Sequence, residues 1–227
     1  MSYRFILADT ETSGFGKGSG VCELAFVELD EQLNILDQQY SLIDPEVPIS
    51  PSASGVHGIT NADVQDAPTM AEFFEVVYGQ RLTGDVVLIA HNVVFDKPYI
   101  EPYIDTLAGE VCTLRLARKY IPEAPDHKLA TLKYFLNLDA GTSHRADGDV
   151  RTTIDLLRHI VARSGAGLPD LVKQTSEPIF VHTMPFGAHK GLNIRDIPED
   201  YRRWLRRKTD IDPDLKYTLA QLALEGL

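Results

Sequence analysis

Residues 4–16 read RFILADTETSGFG. The opening "RFILA" is the kind of apolar run that forms a short buried strand, and the glycines of "SGFGKGSG" (13–20) mark the turn that ends it. Asp9 and Glu11 stand two residues apart at the end of that run, so in an extended chain both side chains project to one side at the strand's C-terminal end. Carboxylates that close repel, which raises a pKa or requires a cation between them. Taken alone, such a pair is usually a solvated strand rim. The glycine loop is not a phosphate cradle, since it fits neither G-x-G-x-x-G nor G-x-x-x-x-G-K-[ST].

Moving outward, "VCELAFVELD" (21–30) and "ILDQQYSLID" (35–44) are apolar-rich runs separated by the turn-like "EQLN" (31–34). Three adjacent antiparallel strands are the simplest reading. "TMAEFFEVVYGQRL" (69–82) has helical spacing, and residues 86–92 of "DVVLIAHN" read as a fourth strand, apolar enough to be buried on both faces. From there the pattern turns helical, through "DKPYIEPYIDTL" (96–107), "TLRLARKYI" (113–121), "KLATLKYFLNL" (128–138) and "DVRTTIDLLRHIVARSG" (149–165). The order implies an α/β core with a mixed sheet and helices packed on it.

Composition shifts near 165–185, where Gly, Pro and Ser cluster, and a linker is expected over 166–181. It separates a core domain, 1–165, from a small basic module, 182–227. The module reads as a strand pair followed by helices "PEDYRRWLRRK" (198–208) and "PDLKYTLAQLALEG" (213–226), each opened by a proline. Trp204 is expected to pack the first of these helices onto the strands.

The 227 residues are 44% hydrophobic, enough for one sizeable core with an appendage, and no stretch approaches a bilayer-spanning length. The N-terminal "MSYRFILADTE" reaches acid too soon for a signal peptide, so a cytoplasmic protein with no membrane partner is expected. Cys22 and Cys112 lie far apart in apolar surroundings, as reduced core thiols would. The formal net charge of −11 argues against phosphate-rich partners, yet "HKGLNIRDIPEDYRRWLRRK" (189–208) carries seven Lys or Arg against three Asp or Glu. A ligand feels the local sign more than the global one at a Debye length of ~8 Å.

Two further acids stand where the first pair could meet them. Asp96 falls in the first helical turn after the strand of "LIAHNVVFDKPYI" (88–100), at the sheet edge where open α/β folds place their sites. Asp149 begins the helix of "SHRADGDVRTTIDLL" (143–157), with His144 five residues before it. Each has a plain structural reading: Asp96 as a helix N-terminal acid, Asp149 as a cap, His91 and Asn92 as capping polar residues.

Together these segments resemble a known family. "DTET" followed by Gly, "HNVVFD", and a His with four residues before an Asp are similar to the three motifs of the DnaQ-like, or DEDDh, 3′–5′ exonucleases. "SASGVHGITNADV" (52–64) and "CTLRLARKYIP" (112–122) resemble supporting family segments, and the likeness covers roughly residues 3–165. The tail "MPFGAHKGLNIRDIPEDYRRWL" (184–205) is similar to a small module that follows the nuclease domain in one branch of the family. One departure is Asp147, an extra acid between the His and Asp of the last motif.

The resemblance implies a ribonuclease H-like fold, a mixed five-stranded sheet flanked by helices, with a small C-terminal α+β module. It implies phosphodiester hydrolysis with Asp9, Glu11, Asp96 and Asp149 as ligands for two Mg²⁺ ions, which Mn²⁺ could replace, and His144 as general base towards the attacking water. Thr10, Thr12, His57, Gly58, Asn92 and Phe95 would surround the 3′-terminal nucleotide, and Phe15 would stack on a base or tuck onto the core. In the module, Lys190, Arg202, Arg203, Arg206 and Arg207 would track a phosphate backbone, with His189 near it. The expected partner is the 3′ end of single- or double-stranded DNA, the products nucleoside 5′-monophosphates, and the setting DNA repair or end trimming. The alternatives are an RNA-trimming exoribonuclease of the same fold and a nucleic-acid-binding or proofreading subunit; a homodimer is an open assembly.

Overall fold

The computed structural model describes residues 3–138 and 145–226. Five strands, β1 (Arg4–Thr12), β2 (Val21–Leu29), β3 (Ile35–Leu42), β4 (Leu82–Ala90) and β5 (Ile104–Cys112), form one sheet in the order β3-β2-β1-β4-β5. The first three pair antiparallel, while β4 runs parallel to β1 and β5 parallel to β4. The C-terminal ends of β1 and β4 therefore share one edge of the sheet.

Alternation along β1 and its neighbours builds two cores, because successive side chains of a strand face opposite ways. Phe5, Leu7, Ala25, Val27, Val87 and Ile89 face one helical layer. It consists of α4 (Thr113–Tyr120), α5 (Leu129–Phe135), α6 (Ala146–Ser164) and α7 (Leu168–Ser176). Ile6, Ala8, Leu24, Phe26, Val86 and Leu88 face the other, made by α2 (Met70–Tyr78) and α3 (Val93–Ile100). The short α1 (Pro51–His57) closes a satellite cluster around Cys22, Ile49 and Ala53. Local chemistry sets the helix starts: Ser50 caps α1, and Thr69 with Glu72 forms a capping box on α2.

Two expectations fail here. Residues 96–107 were expected to be one helix, but α3 ends at Ile100 and a short 3₁₀ turn, Glu101–Tyr103, leads into β5. Pro102 has no N–H to continue the helix, and the chain after it re-enters the sheet as an edge strand. Likewise, β4 ends at Ala90, so His91 and Asn92 form the turn into α3 rather than the last residues of a strand.

The segment expected as a linker is mostly the helix α7, whose Leu168 and Leu171 are buried in the main core. Gly109 on β5 permits this, since a Cβ there would lie 2.5 Å from Val172 Cγ1. Beyond it, the expected strand pair reduces to one antiparallel bridge, Thr183 to Asn193. Two helices follow, α8 (Glu199–Arg206) and α9 (Pro213–Leu224), and the module has its own core of Met184, Ile194, Leu205, Leu215, Leu219 and neighbours. Trp204 is not in it. Arg202 and Leu205 take the inner face of α8, and Trp204 is left 47% exposed.

The module is tied directly to the sheet domain. Arg115 of α4 grips Asp214 of α9 bidentately, Nε to Oδ2 at 2.6 Å and Nη2 to Oδ1 at 2.7 Å. Asp214 also accepts from the Ile179 amide at 2.9 Å, and Arg118 pairs with Asp212 at 2.8 Å. Cys22 and Cys112 are buried and unbridged. No helix among the described residues is long and apolar enough to cross a membrane.

Candidate active site

Asp9 and Glu11 continue the β1 face that packs under α6, and α6 brings Asp149 to meet them in its first turn. Carboxylate oxygens of Asp9, Glu11 and Asp149 all lie within 4.8 Å of one another. A break in the β1/β2 register falls between Glu11 and Thr12, where a bulge re-aims the strand end beside the site.

Asp96 arrives from the opposite helical layer. The turn before it is tight, with Asn92 in the left-handed region at φ 79°, and places Asp96 in the first turn of α3. One of its oxygens, Oδ1, accepts from the Thr10 amide at 3.1 Å and the Thr10 hydroxyl at 2.8 Å. The site thus draws one acid from each layer and two from the central strand between them.

Asp9, Glu11 and Asp96 are poorly hydrated, and their pKa values move accordingly. Lost hydration, then the charges of Asp96, Asp149 and Glu11, push the Asp9 carboxyl well above its usual range. Glu11 is pushed up to about 7 by burial and by Asp149. Asp96 is also raised to about 7 by burial, against the pull of the two Thr10 hydrogen bonds. Such a cluster of hard oxygen donors, with nothing softer in it among the described residues, fits Mg²⁺-like divalent cations.

A buried acid that the sequence reading passed over supports the cluster. Glu23, opposite Glu11 on β2, is wholly buried. It accepts from Arg145 Nε at 2.8 Å, from the Ala146 amide at 2.8 Å and from the Tyr40 hydroxyl. Arg145 in turn donates to the Tyr40 oxygen at 2.7 Å. Glu23 thereby anchors the start of α6, the helix that carries Asp149. A glutamate within the apolar run "VCELAF" was the available signal.

The other expected residues divide. Thr10 is buried and spends its hydroxyl on Asp96, so it positions an acid instead of facing a nucleotide. Thr12 is also buried, and its hydroxyl donates to the Gly14 carbonyl at 2.9 Å. His57 is buried too: Nδ1 accepts from the Ile59 amide at 3.0 Å, which leaves Nε2–H to donate to the Thr12 carbonyl at 3.2 Å. It braces the end of β1, and Gly58 serves as the left-handed cap of α1. A small cavity of about 130 Å³ lies beside Glu11, lined by Thr12, Phe15, Val56, His57 and Phe95, with Phe15 83% exposed. Asn92 is exposed and its side chain does not cap α3.

His91 is structural as well. Nε2 donates to the His127 carbonyl at 2.9 Å, Nδ1 accepts from Thr113 at 3.0 Å, and burial lowers its pKa to about 4. Asp147 is exposed and borders a separate hollow with Tyr40 and Arg151, away from the acid cluster. His144 lies outside the described residues. Of the module's five expected cations, Arg202 is buried, Arg203 pairs with Glu199 at 2.6 Å and Arg206 reaches the Leu219 carbonyl. Lys190 and Arg207 are exposed.

Comparison with known proteins accords with this arrangement. Residues 6–157 match the family described as exonuclease, and residues 173–222 match one described as putative quorum-sensing-regulated virulence factor. The chain is 32% identical to exodeoxyribonuclease 10 of Escherichia coli K12, over 94% of this chain and 96% of that protein. A solved structure of exonuclease X with 5′-overhanging duplex DNA superposes with TM-score 0.62 at 29% identity, covering 75% of this chain and 99% of that one. Escherichia coli exonuclease I with a dT13 oligonucleotide shares the fold at TM-score 0.62 and 18% identity, over 77% of this chain and 43% of that one. The chain belongs to the exonuclease family, with a mixed five-stranded sheet whose central strand carries the acidic site.

Proposed function

We propose that the protein is a divalent-cation-dependent 3′–5′ exodeoxyribonuclease that removes nucleoside 5′-monophosphates from DNA 3′ ends. The observation that carries the reading is the convergence of Asp9, Glu11 and Asp149, with Asp96 fixed beside them by Thr10. Mg²⁺ is the cation of choice for all-oxygen donors, and Mn²⁺ would substitute. Bound there, two such ions would stabilise the charge that develops on the phosphate and the leaving 3′ oxygen.

The chain's own residues do the rest. Asp9, Glu11, Asp96 and Asp149 would hold the cations, and the raised pKa values of Asp9, Glu11 and Asp96 are the price of keeping that pocket ready without them. The hollow between Phe15, Val56 and Phe95 takes the terminal base, so hydrolysis acts on the phosphate next to it and one nucleotide leaves per cycle. Asn92, exposed at the turn into α3, is free to contact the terminal nucleotide. His144, in the motif position of a general base, takes the proton of the attacking water. DNA of either strandedness is the substrate, in repair or end trimming in the cytoplasm, with RNA as the competitor to exclude.

The test is digestion of 5′-labelled DNA and matched RNA with Mg²⁺ or EDTA. A ladder shortening from the 3′ end of DNA, absent in EDTA and in Asp9→Ala, is expected. Preference for RNA would change the substrate assignment, and cleavage of neither would defeat the enzyme reading.

A further inference from the structure

Outside the acid cluster, a groove of about 440 Å³ lies where the nuclease core meets the C-terminal module. Asn92, the cap residue of the helix that carries Asp96, lines it together with Lys128 from the core and Met184 and Lys190 from the module. Both lysines are exposed, and among the described residues neither is held in a salt bridge. Arg118 also lines the groove but is tied to Asp212, and Asp126 is the acid facing the lysines.

From Lys190 the surface continues into an aromatic series. The ring of His189 meets Tyr201 edge-on at 4.5 Å, Tyr201 lies 5.3 Å from Trp204, and Lys208 Nζ sits 4.7 Å over the Trp204 ring. The series is held in place from below: a Cβ on Gly187 would come 2.8 Å from the Tyr201 hydroxyl, so the turn is built around that ring. The Arg115–Asp214 grip fixes the whole module against the core. A half-exposed tryptophan flanked by a cation, in a segment with four excess positive charges on a chain of net −11, suits a polyanion with unpaired rings.

We propose that single-stranded DNA upstream of the 3′ end runs from Asn92 through the Lys128–Lys190 groove and stacks its bases on the Tyr201–Trp204–Lys208 platform. The inference rests on the exonuclease reading and adds a second, non-catalytic binding site to it. Backbone phosphates meet the lysines, and bases meet the rings. Duplex DNA has its bases already stacked, so an unpaired strand is the occupant that the rings favour. The consequence is a dependence on strand length: short substrates reach only the acid pocket, and longer ones gain the platform.

Trp204 is the protein's one tryptophan, which makes the site directly visible. The full-length protein in EDTA is titrated with an oligothymidylate of about 20 nucleotides, longer than the ~4–16 that single-strand-binding domains occupy. Saturable quenching of Trp204 fluorescence, weakened by salt, is expected. Combining Lys128→Glu with Lys190→Glu should weaken it about 10-fold. With Mg²⁺, Trp204→Ala should raise KM for the long oligonucleotide about 10-fold more than for a dinucleotide. Unchanged fluorescence while labelled DNA binds by anisotropy would overturn the proposal, as would wild-type KM values that do not depend on length. Quenching without any hydrolysis would uphold the platform and defeat the exonuclease reading instead.

Discussion

The two regions proposed to meet DNA are chemical opposites. At the end of β1, four acids are brought together with little hydration, each fixed by a strand, a helix start or a hydrogen bond. Around α8, Lys190, Arg207, Lys208 and the Trp204 ring lie open to solvent, and three of the five basic residues expected to meet DNA, Arg202, Arg203 and Arg206, bond within the module instead. Chemistry that must hold a charge within fractions of an ångström needs buried scaffolding, whereas a surface that follows a strand needs only accessible charge and flat rings. The first is therefore sensitive to single atoms, and the second should respond in small steps.

The largest effect should come from the acid side. Asp9→Ala should reduce kcat beyond the ~10²–10⁴-fold that loss of a general base costs, measured by product release from labelled DNA. Its melting temperature without metal should not fall, because the substitution removes a charge that Asp96, Asp149 and Glu11 all repel. A drop in both would mean that Asp9 holds the fold together and would dissolve the contrast.

Next is the joint between the regions. Arg115→Met leaves Asp214 buried without its partner and should cost about 3 kcal/mol or more by chemical denaturation. If stability is unchanged, the module is not held to the core as described.

Of comparable size is a pH effect in the metal-free protein. Glu11 and Asp96 titrate at about 7 in the folded chain against ordinary values of 4.5 and 3.8. Between those limits the unfolded chain binds fewer protons than the folded one, so stability falls as pH rises from about 4 to 7. Thermal melts in EDTA should show that decline, and saturating Mg²⁺ should flatten it. A rise with pH in EDTA would contradict the charge-repelled pocket.

The smallest concerns Tyr40→Phe, which removes hydrogen bonds to Glu23 and Arg145. It should lower stability by about 1 kcal/mol, read by denaturant midpoint.

The same contrast explains what could be read from the sequence. Asp9, Glu11, Asp96 and Asp149 stand at strand ends or helix starts, where local pattern alone reads equally as rim or cap, and only the resemblance to the exonuclease motifs singled them out together. Thr10 was assigned to substrate, but its partner Asp96 is 86 residues away and only tertiary packing pairs them. Glu23 went unnoticed because a strand pattern does not say which neighbour a buried acid meets. The start of the fifth strand, residues 104–107, was read as helix because its edge position leaves Asp105 and Thr106 exposed and breaks the apolar signal. The helix α7 looked like linker because Gly167 and Pro169 open it, yet those residues also start helices. Trp204 was placed inside on hydrophobicity alone, while the turn of α8 gave that place to Leu205.

The most direct test of the account follows a 3′-end-labelled oligonucleotide with wild type and Asp9→Ala, in Mg²⁺ and in EDTA. The account predicts that the first labelled product is a mononucleotide, formed only by wild type with Mg²⁺. Label appearing first in longer fragments, or release that survives EDTA and the loss of Asp9, would contradict it.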